Sequence, residues 1–491
     1  MNGQHEETAV VIMAELKILD AITEKTRRRS LGYHLTPVDV TNKYILPEIR
    51  NQVLSYSWTD NFCGDGNLIF PILGQIEPDK RASFFRDHLF LSDIRPEAVE
   101  NCRETAMKYG IPEEYARRNI FLNDGLASFP MIRTKHKLIH ITNPPYLYLG
   151  YISKTPSVKH YLKYFQNGTK GLQDLYQIAL YRDIEAGLEK MIYIVPSNFL
   201  YGNSVSSHIR NILFSRYTLE KAIIIEKRIF EFTGTNITIC FFRKSSSLNV
   251  QVTFPLVKAG SNVTESEMTL ERENSYRAGS TFFNTLSALR RGDVVFRFYL
   301  LEKELLDNPG YNTVLVTDAS RFNGRKYVST AYLVNDRTSK KISENLLFLK
   351  TLDSGSVEGR CGLYRTADVF GTQAIMISGS PYRTHPIQLM IENVSGGEQE
   401  FMERFFNLIL EHYRKQLDSE FMTTYRYSNS NYTRKYLGLN QAKLILDSYP
   451  LSMTETKREK FHKLVLEGSA ENVIRFLRDE PNPRLCRGLL S

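Results

Sequence analysis

The sequence predicts an α/β fold whose main sheet is mostly parallel, followed by a second region of mixed α+β structure. From about residue 27 to residue 244, short apolar runs alternate with longer helix-like stretches, which is the pattern of strands joined by crossover helices. Polar residues and glycines directly follow several of these runs, at the sheet edge where such folds bind ligands. Beyond residue 245 the sequence pattern changes to short predicted strands that are rich in Tyr, Arg, Asn, Ser and Thr. We therefore expect a ligand-binding α/β domain and a separate C-terminal region.

Six apolar runs are the predicted strands of the first domain: residues 56–59, 89–91, 138–142, 191–195, 222–225 and 237–242. Residues 95–109 and 172–188 are predicted helices, and Pro96 suits the first turn of the former. The runs 245–247 and 259–274 are polar, so both are predicted linkers.

Two helical segments are predicted near the C-terminus. Residues 398–420 follow Gly396 and Gly397 and carry apolar side chains at helical spacing, namely Phe401, Phe405, Ile409 and Tyr413. Residues 454–478 form the second segment. The predicted domains are a helical extension over 1–30, the α/β domain over 31–245 and the C-terminal region over 246–491.

Composition points to an ordinary soluble chain of 491 residues, with 42% hydrophobic and 24% charged residues. The longest apolar runs are too short to span a bilayer, which needs about 20 residues. The five cysteines are scattered and form no CxxC pair, which argues against a disulfide framework and against a zinc site. Residues 1–10 lack the order of a signal peptide, so we expect a cytoplasmic protein. The lack of a His/Cys cluster leads us to expect that it uses no metal.

Charge gives a weak indication of the partner. The chain has 63 Lys and Arg against 54 Asp and Glu, which makes a net charge of +9. A basic surplus favours polyanions, because Lys and Arg release counterions when they neutralise phosphates. The surplus is also compatible with simple solubility.

The strongest chemical motif is the turn Asn143-Pro144-Pro145-Tyr146, directly after a predicted strand. Two prolines fix φ and remove backbone donors, so the carbonyls project from a rigid turn. The Asn143 side-chain oxygen and a proline carbonyl can then both accept hydrogen bonds from one NH2 group. This arrangement holds a planar amine with its nitrogen directed at an electrophile, and Tyr146 offers a flat face for a base.

Three further groups of polar residues follow predicted strands upstream of this turn. Residues 60–67 form a loop that contains Asp60, Cys63, Gly64 and Gly66, and its glycines allow backbone to approach a ligand. Asp93 ends the next strand, where a carboxylate can accept from a ribose diol. Asp124 follows residues 119–123 and can accept from an adenine amine. An Asp at one strand end is more often a helix cap, but three in order before the Pro-Pro turn indicate a nucleotide-like ligand.

Together these motifs resemble the gamma class of amino-methyltransferases from restriction–modification systems, over about residues 32–244. The resemblance places Thr36 at the cofactor carboxylate, residues 60–66 at the methionine moiety, Asp93 at the ribose and Asp124 at the adenine. The resemblance also groups Pro145 with the cofactor residues. Residues 174–176 and 195–200 resemble two supporting motifs of the family. Phe230 resembles the residue that stacks on the target base opposite Tyr146, with Phe232 as the alternative. Asn61 and His34 depart from the usual pattern, although neither holds the reacting groups.

This resemblance implies an α/β S-adenosylmethionine-dependent DNA methyltransferase that acts on N6 of adenine in duplex DNA after flipping the base. Asn143, Pro144, Tyr146 and Phe230 would be catalytic. The C-terminal region would read the DNA sequence, with five candidate contacts: Arg325, Lys326, Arg383, Arg426 and Arg434. Because the family belongs to bacteria and archaea, the resemblance also implies a prokaryotic cytoplasmic protein, and we expect a monomer that protects DNA from a separately encoded restriction endonuclease.

Several alternatives share the same turn. An N4-cytosine methyltransferase more often begins the turn with Ser, so Asn143 favours adenine. A protein glutamine methyltransferase also binds a planar amide, but that family lacks so long a C-terminal half. An rRNA guanine methyltransferase and a DNA-binding subunit that has lost catalysis are the remaining alternatives, and Asn143, Tyr146, Asp93 and Gly64 speak against the latter.

Overall fold

A nine-stranded sheet organises the first half of the chain. The computed structural model describes residues 35–203, 205–226, 229, 236–260, 262–353, 359–379, 386–417, 420–425 and 434–480. The chain divides into two compact units, one up to Arg277 and one from Ala278. The predicted N-terminal extension, residues 1–30, lies outside the described residues. Among the helices that are described, none is long and apolar enough to cross a membrane.

The strands of the first unit form a single sheet in the order β3-β2-β1-β4-β5-β7-β6-β8-β9. Their bounds are β1 (Tyr56–Asp60), β2 (Leu89–Asp93), β3 (Ile120–Leu122), β4 (Lys137–Thr142), β5 (Lys190–Pro196), β6 (Tyr217–Ile225), β7 (Ile237–Lys244), β8 (Gln251–Ala259) and β9 (Val263–Glu271). The strands from β3 to β5 in this order pair in parallel, and β7 is antiparallel to both of its neighbours. All six predicted strands are therefore present.

The helices of this unit are α1 (Val38–Val40), α2 (Leu46–Ile49), α3 (Phe70–Leu73), α4 (Arg81–His88), α5 (Pro96–Lys108), α6 (Glu113–Asn119), α7 (Leu149–Ile152), α8 (Leu175–Ala186), α9 (Asn198–Tyr201) and α10 (Ser207–Phe214). A π-helical turn, Thr41–Ile45, joins α1 to α2, and 3-10 turns lie at Arg50–Gln52, Pro78–Lys80, Pro156–Tyr164, Asn167–Thr169 and Arg272–Asn274. The two predicted helices, 95–109 and 172–188, correspond to α5 and α8. Helix α8 ends at Gly187, which has φ +69° and so adopts the left-handed cap that glycine favours.

Parallel pairing buries the central strands on both faces, so they read as continuous apolar runs. In β5, Met191 to Val195 are all buried. Trp58 in β1 is fully buried, and its indole N–H donates to the Val53 carbonyl at 3.1 Å. The core therefore surrounds β1, the strand whose carboxyl end carries the first predicted ligand loop.

The boundary predicted at 245/246 does not match this unit, and the linker predicted over 259–274 is wrong. Strand β8 pairs in parallel with β6, and β9 pairs with β8 from Gln251↔Glu271 to Ala259↔Val263. Strand β9 is the edge of the sheet and buries only Met268 and Leu270. Its sequence therefore reads as a polar stretch, although its backbone completes the sheet.

In the second unit, the described residues form three small sheets with the orders β10-β17-β13-β15, β12-β11-β16 and β14-β19-β18. Their strands are β10 (Phe296–Phe298), β11 (Pro309–Phe322), β12 (Tyr327–Val334), β13 (Leu347–Lys350), β14 (Leu352–Asp353), β15 (Gly362–Arg365), β16 (Ala374–Met376), β17 (Ile387–Ile391), β18 (Thr423–Tyr425) and β19 (Arg434–Tyr436). The helices are α11 (Ser280–Leu289), α12 (Glu302–Leu306), α13 (Asp336–Ser343), α14 (Thr366–Phe370), α15 (Gly396–Gln416), α16 (Leu439–Asp447), α17 (Glu455–Leu466) and α18 (Ala470–Asp479).

Helix α15 supplies the core of the second unit. Phe405, Ile409 and Tyr413 are buried as their spacing predicts, whereas Phe401 is partly exposed and stacks on His462. The helix starts at the glycines rather than after them, because the Ser395 side chain accepts from the N–H of Glu398 as an N-cap. The second predicted segment, 454–478, forms two helices, α17 and α18, separated by Gly468 at φ +74°.

We predict that a fragment ending at residue 277 folds, whereas one ending at residue 245 aggregates. The shorter fragment would lose β8 and β9, leaving the backbone of β6 unpaired along a new sheet edge. It would also remove Val252, Phe254 and Leu256, which are buried. Size-exclusion chromatography and urea unfolding followed by Trp58 fluorescence would compare the two fragments. A monomeric, cooperatively unfolding 1–245 fragment would contradict the boundary at 277.

Candidate active site

A cavity of about 440 Å³ opens at the carboxyl ends of β1 and β4. Strand β1 pairs with β2 on one side and β4 on the other, so the strand order reverses there and leaves a crevice suited to a ligand. Eight residues predicted from the sequence line this cavity: Thr36, Asp60, Cys63, Gly64, Asp93, Asp124, Asn143 and Pro145. Residues far apart in sequence are thus brought together at one edge of the sheet.

Asp60 is the last residue of β1 and is almost fully buried. Its Oδ1 accepts from the Thr142 hydroxyl at 2.7 Å and from the Phe62 N–H at 3.0 Å. Burial raises the pKa of this carboxyl to about 6, although His140 and these two donors oppose the rise. The carboxylate therefore links the end of β1 to the end of β4, next to the Asn143 turn.

A buried histidine holds the start of the same loop. The N–H of Asn61 donates to Nε2 of His140 at 3.1 Å, and Nδ1 of His140 contacts Oδ2 of Asp183. The Tyr193 hydroxyl donates to the same Asp183 oxygen at 2.7 Å. An Nε2 that accepts requires the proton on Nδ1, directed at Asp183. Sequence reasoning missed this group, because a histidine inside an apolar strand gives no signal of its partner.

The two glycines of the loop have different roles. Gly64 lines the cavity at φ +51°, and its N–H donates to Oδ2 of Asp93 at 3.0 Å. Gly66 has φ +81°, and a Cβ there would lie 2.1 Å from the Phe70 ring. The cavity lining does not include Gly66. Gly66 stays a predicted cofactor contact, and the structure shows that it is needed for the turn and for close packing on Phe70.

Cys63 is buried in this loop beside Cys102. The hydrogen bond with the Cys102 side chain, together with burial, raises the pKa of the Cys63 thiol well above its usual value. The N–H of Cys63 donates to the Ser92 carbonyl at 3.0 Å, which ties the loop to β2. The thiol is therefore a neutral lining group rather than a nucleophile.

Asp93 ends β2 and has only 4% of its surface exposed. Besides Gly64, it accepts from the backbone N–H of Arg95 at 3.0 Å and from the guanidinium of Arg95 at 3.0 and 3.2 Å. These four bonds fill the acceptor positions of a carboxylate. A ribose diol at Asp93 would therefore replace the two bonds from the Arg95 side chain and leave the two backbone bonds intact.

Asp124 follows β3 and lines the same cavity. Its Oδ1 accepts from the N–H groups of Leu126 and Ala127, both at 3.2 Å. Its Oδ2 accepts from the Tyr164 hydroxyl at 2.6 Å. Tyr164 belongs to a 3-10 segment, Pro156–Tyr164, that sequence reasoning did not single out.

The Asn143 side chain is held from two sides. Its amide nitrogen donates to Oγ1 of Thr36 at 3.0 Å, and its Oδ1 accepts from the Tyr146 hydroxyl. That hydroxyl also contacts the carbonyl of Ile194 at 2.7 Å. Pro144 is buried behind the turn. The orientation of the amide is therefore set before any substrate arrives.

The Tyr146 ring does not line the cavity. It packs edge-on against Tyr176 at 6.2 Å between ring centroids, and burial raises the pKa of its hydroxyl well above the usual value. Asp174 holds the turn from behind, since it accepts from the N–H of Leu147 at 2.9 Å. Burial raises the pKa of Asp174 to about 7.

The predicted DNA contacts belong to the second unit, and some lie outside the described residues. Arg325 and Lys326 are exposed in the short loop between β11 and β12. Both backbone N–H groups donate to the Asn323 side chain, which fixes the loop. Arg434 begins β19. Two further candidate DNA contacts, Arg383 and Arg426, lie outside the described residues. The two candidates for the base-stacking residue, Phe230 and Phe232 of the first unit, also lie outside them.

A known family matches part of the first unit. Residues 86–230 match the family model described as Eco57I restriction-modification methylase. The match includes β2 to β6 and the turn at Asn143, but it covers less than a third of the chain. No curated protein matches the sequence. The family match supports a methyltransferase of the restriction–modification kind, with S-adenosylmethionine as its cofactor.

Solved structures with some similarity include three proteins. The first is a modification subunit of a putative type I restriction enzyme from Vibrio vulnificus YJ016, with 16% identity, TM-score 0.34, and coverage of 51% of this chain and 53% of that chain. The second is a putative class I S-adenosylmethionine-dependent methyltransferase from Listeria monocytogenes, with 14% identity, TM-score 0.33, and coverage of 46% and 65%. The third is a nuclease-deletion mutant of the type ISP restriction-modification enzyme LlaGI in complex with a DNA substrate mimic, with 12% identity, TM-score 0.46, and coverage of 88% and 47%. The chain spans about half the length of the Vibrio subunit.

The lining of the cavity fits S-adenosylmethionine in the chemistry of its groups. Two carboxylates at separate strand ends, Asp93 and Asp124, suit ribose hydroxyl donors and an adenine amine donor. Leu35, Ile94 and Phe62 supply apolar parts of the lining. The volume of about 440 Å³ lies within the ordinary range of small-molecule sites. Asp93, Asp124 and the loop at Gly64 would hold the cofactor, which would carry a transferable methyl group.

We predict that Asp60→Asn makes the first unit more stable than the wild type, and that this difference in the free energy of unfolding grows as the pH rises. A pKa raised from 3.8 to about 6 means that the folded state retains a proton that the unfolded state releases. Wild-type stability from this group is therefore lost as the pH rises from about 4 to about 6, by roughly 3 kcal/mol at most. Asn keeps the Oδ1 acceptor for Thr142 and Phe62 but does not titrate.

Urea unfolding of both proteins from about pH 4 to about pH 7.5, followed by Trp58 fluorescence, would measure the difference. Trp58 is the single tryptophan of the chain and lies in the core of this unit. The stability difference should grow with pH up to about 6 and then level off. A difference that is flat, or that shrinks with rising pH, would show that Asp60 is not buried at a cost.

Proposed function

We propose that this chain is an S-adenosylmethionine-dependent DNA methyltransferase that methylates N6 of adenine within a specific duplex sequence. One observation carries the proposal: Asn143 lines the same cavity as the strand-end carboxylates Asp93 and Asp124. A ligand bound by the two carboxylates and an amine bound by Asn143 would therefore lie next to each other in this cavity. The family match over residues 86–230 supports the same reaction class.

In this proposal Asn143 orients the target amine. Its Oδ1 would accept one amine hydrogen and the carbonyl of Pro144 the other, which directs the nitrogen lone pair into the cavity. The bound cofactor would supply an electrophilic methyl group on a sulfonium. Orientation and polarisation of the amine are then the main contributions of the protein. The hydrogen bond from Asn143 to Thr36 supports this role, because it fixes the amide with Oδ1 away from Thr36.

Base flipping is required by the proposal, because the target amine is paired inside a duplex. Stacking on aromatic side chains would offset the cost, at about 1–3 kcal/mol per base. We assign one face of the extruded base to Tyr146 and the other to Phe230. For Tyr146 this requires the ring to turn from its contact with Tyr176.

Adenine is favoured over cytosine because Asn143, rather than Ser, begins the turn. Methyl transfer from labelled cofactor to unmethylated plasmid, ribosomes and release factor would separate DNA from the other substrates that share this turn. Nucleoside analysis of the plasmid would then distinguish N6-methyladenine from N4-methylcytosine. Labelling of ribosomes or release factor alone would refute the proposed substrate.

We predict that Asn143→Ala abolishes nearly all methyl transfer while leaving cofactor affinity largely unchanged. The substitution removes the acceptor for the target amine, and the carboxylates that would hold the cofactor remain. Methyl transfer to plasmid gives the rate, and calorimetry with S-adenosylhomocysteine gives the affinity.

Asn101→Ala is the matched control for this variant. Asn101 lines the same cavity but is exposed on α5. This control should keep wild-type turnover. If Asn143→Ala retained more than about a tenth of the wild-type rate, equivalent to a barrier change under about 1.4 kcal/mol, Asn143 would not be catalytic.

We further infer that the second unit reads the DNA sequence, with duplex DNA as partner. Arg325 and Lys326 project from an ordered hairpin loop, and the exposed charged residues of this hairpin, Arg321 included, are all basic. A two-stranded β-ribbon fits the major groove, and Arg can read guanine there. Arg383, Arg426 and Arg434 remain candidate contacts. A monomer acting with a separately encoded endonuclease completes this proposal.

We predict that the fragment ending at residue 277 binds S-adenosylhomocysteine but does not distinguish DNA sequences. Gel shifts with a methylation-site duplex and a scrambled duplex would compare it with the full chain. Affinity of the full chain should fall steeply with salt, since several cationic contacts release counterions. Discrimination by the fragment alone would assign sequence reading to the first unit.

A further inference from the structure

The 3-10 segment Pro156–Tyr164 forms one wall of the cavity. Three of its aromatic side chains, His160, Tyr161 and Tyr164, line the cavity beside Asp124. Tyr164 is buried, with 6% of its surface exposed. The segment contains none of the predicted sequence motifs.

Tyr164 contacts Oδ2 of Asp124, the oxygen of this carboxylate that can still accept a hydrogen bond from a ligand. Oδ1 of Asp124 already accepts from two N–H groups, those of Leu126 and Ala127. Oδ2 accepts from the Tyr164 hydroxyl at 2.6 Å. A carboxylate offers about four acceptor positions, so one position remains, and it lies on Oδ2. Asp124 can therefore accept one further hydrogen bond, and its direction is set by the bond from Tyr164.

The segment holds Tyr164 in place. The Thr169 hydroxyl, which is buried, donates to the Tyr164 carbonyl at 2.6 Å. Val158 is fully buried at the other end of the segment. The ammonium of Lys163 lies 4.7 Å from the centre of the Tyr164 ring. A side chain held in this way is preorganised, so little ordering accompanies ligand binding.

We propose that Tyr164 is a positioning residue that makes the cavity select an aminopurine nucleoside over an oxopurine nucleoside. This inference rests on the proposed function, in which the cavity takes the adenosyl group of the cofactor. The Tyr164 hydroxyl donates to Oδ2 and so sets the direction of the remaining acceptor position of Asp124, which we place at the purine 6-position. An exocyclic amine donates to that acceptor. A 6-oxo group faces it with another acceptor, which leaves both groups unpaired in a confined site.

The test measures the affinities of S-adenosylhomocysteine and S-inosylhomocysteine by calorimetry for the full chain and its variants. The wild type should prefer the adenosyl ligand by at least about tenfold, the effect of one lost hydrogen bond to a charged group. Tyr164→Phe keeps the ring and removes the hydroxyl, so the preference should fall about fivefold or more. Melting temperatures of each variant would show whether it is folded.

Tyr161→Phe is the matched control, because it removes a hydroxyl from the same segment at the same cavity. Its preference between the two ligands should equal that of the wild type. An equal fall in both variants would mean general distortion of the segment and would overturn the inference. An unchanged preference in a folded Tyr164→Phe protein would overturn it as well, with the proposed function intact.

Asp124→Asn provides a second readout, should Tyr164→Phe not fold. Asn replaces one acceptor by a donor, so the preference should vanish or reverse toward S-inosylhomocysteine. A folded Asp124→Asn protein that kept the wild-type preference would refute the inference. Wild type that bound neither ligand would instead refute the proposed function, so the two failures are distinguishable.

Discussion

The parallel pairing of β1 with both β2 and β4 is the constraint on which the site depends. Because these strands run in the same direction, their carboxyl ends meet at one edge of the sheet. Asp60 and Asp93 end their strands and Asn143 follows β4, so the three side chains converge, although more than 80 residues separate Asp60 from Asn143. The reversal of strand order at β1 leaves the crevice in which the side chains face one another. The loops that carry these side chains therefore begin at positions that this edge of the sheet fixes.

Buried carboxylates hold the edge together at a cost. Burial raises the pKa of both Asp60 and Asp174, so neither charge is fully compensated by its donors. Each nevertheless links two elements: Asp60 links the end of β1 to Thr142, and Asp174 links α8 to the turn at Leu147. Removing such a partner from a buried donor leaves that donor unsatisfied, at about 1–3 kcal/mol. We infer that burial of these two carboxylates lowers local stability, while their hydrogen bonds hold the Asn143 turn in place.

How far the sequence predicts this structure depends on what each signal encodes. Strand ends followed by polar residues are predictable, because apolar runs and turn residues are local signals. The family resemblance supplied the roles that we propose for Asp93 and Asp124. Strand β9 was not predictable, because an edge strand with one face in solvent reads as a polar stretch. Gly66 shows a second limit: its φ and its contact with Phe70 arise from packing that no local pattern encodes. The 3-10 segment at Tyr164 lacks the periodicity that marks a longer helix.

The hydroxyl of Tyr146 connects the resting site to the proposed reaction. It carries one proton but contacts two acceptors, Oδ1 of Asn143 and the carbonyl of Ile194. A proton directed at Ile194 leaves Oδ1 of Asn143 with its lone pairs for the target amine. A proton directed at Asn143 satisfies the amide oxygen while no base is present, which avoids an unpaired acceptor beside the cavity. Exchange between these two acceptors needs only rotation of the hydroxyl. The amide can therefore remain oriented by Thr36 throughout, and the cost of preparing the acceptor for the amine stays small.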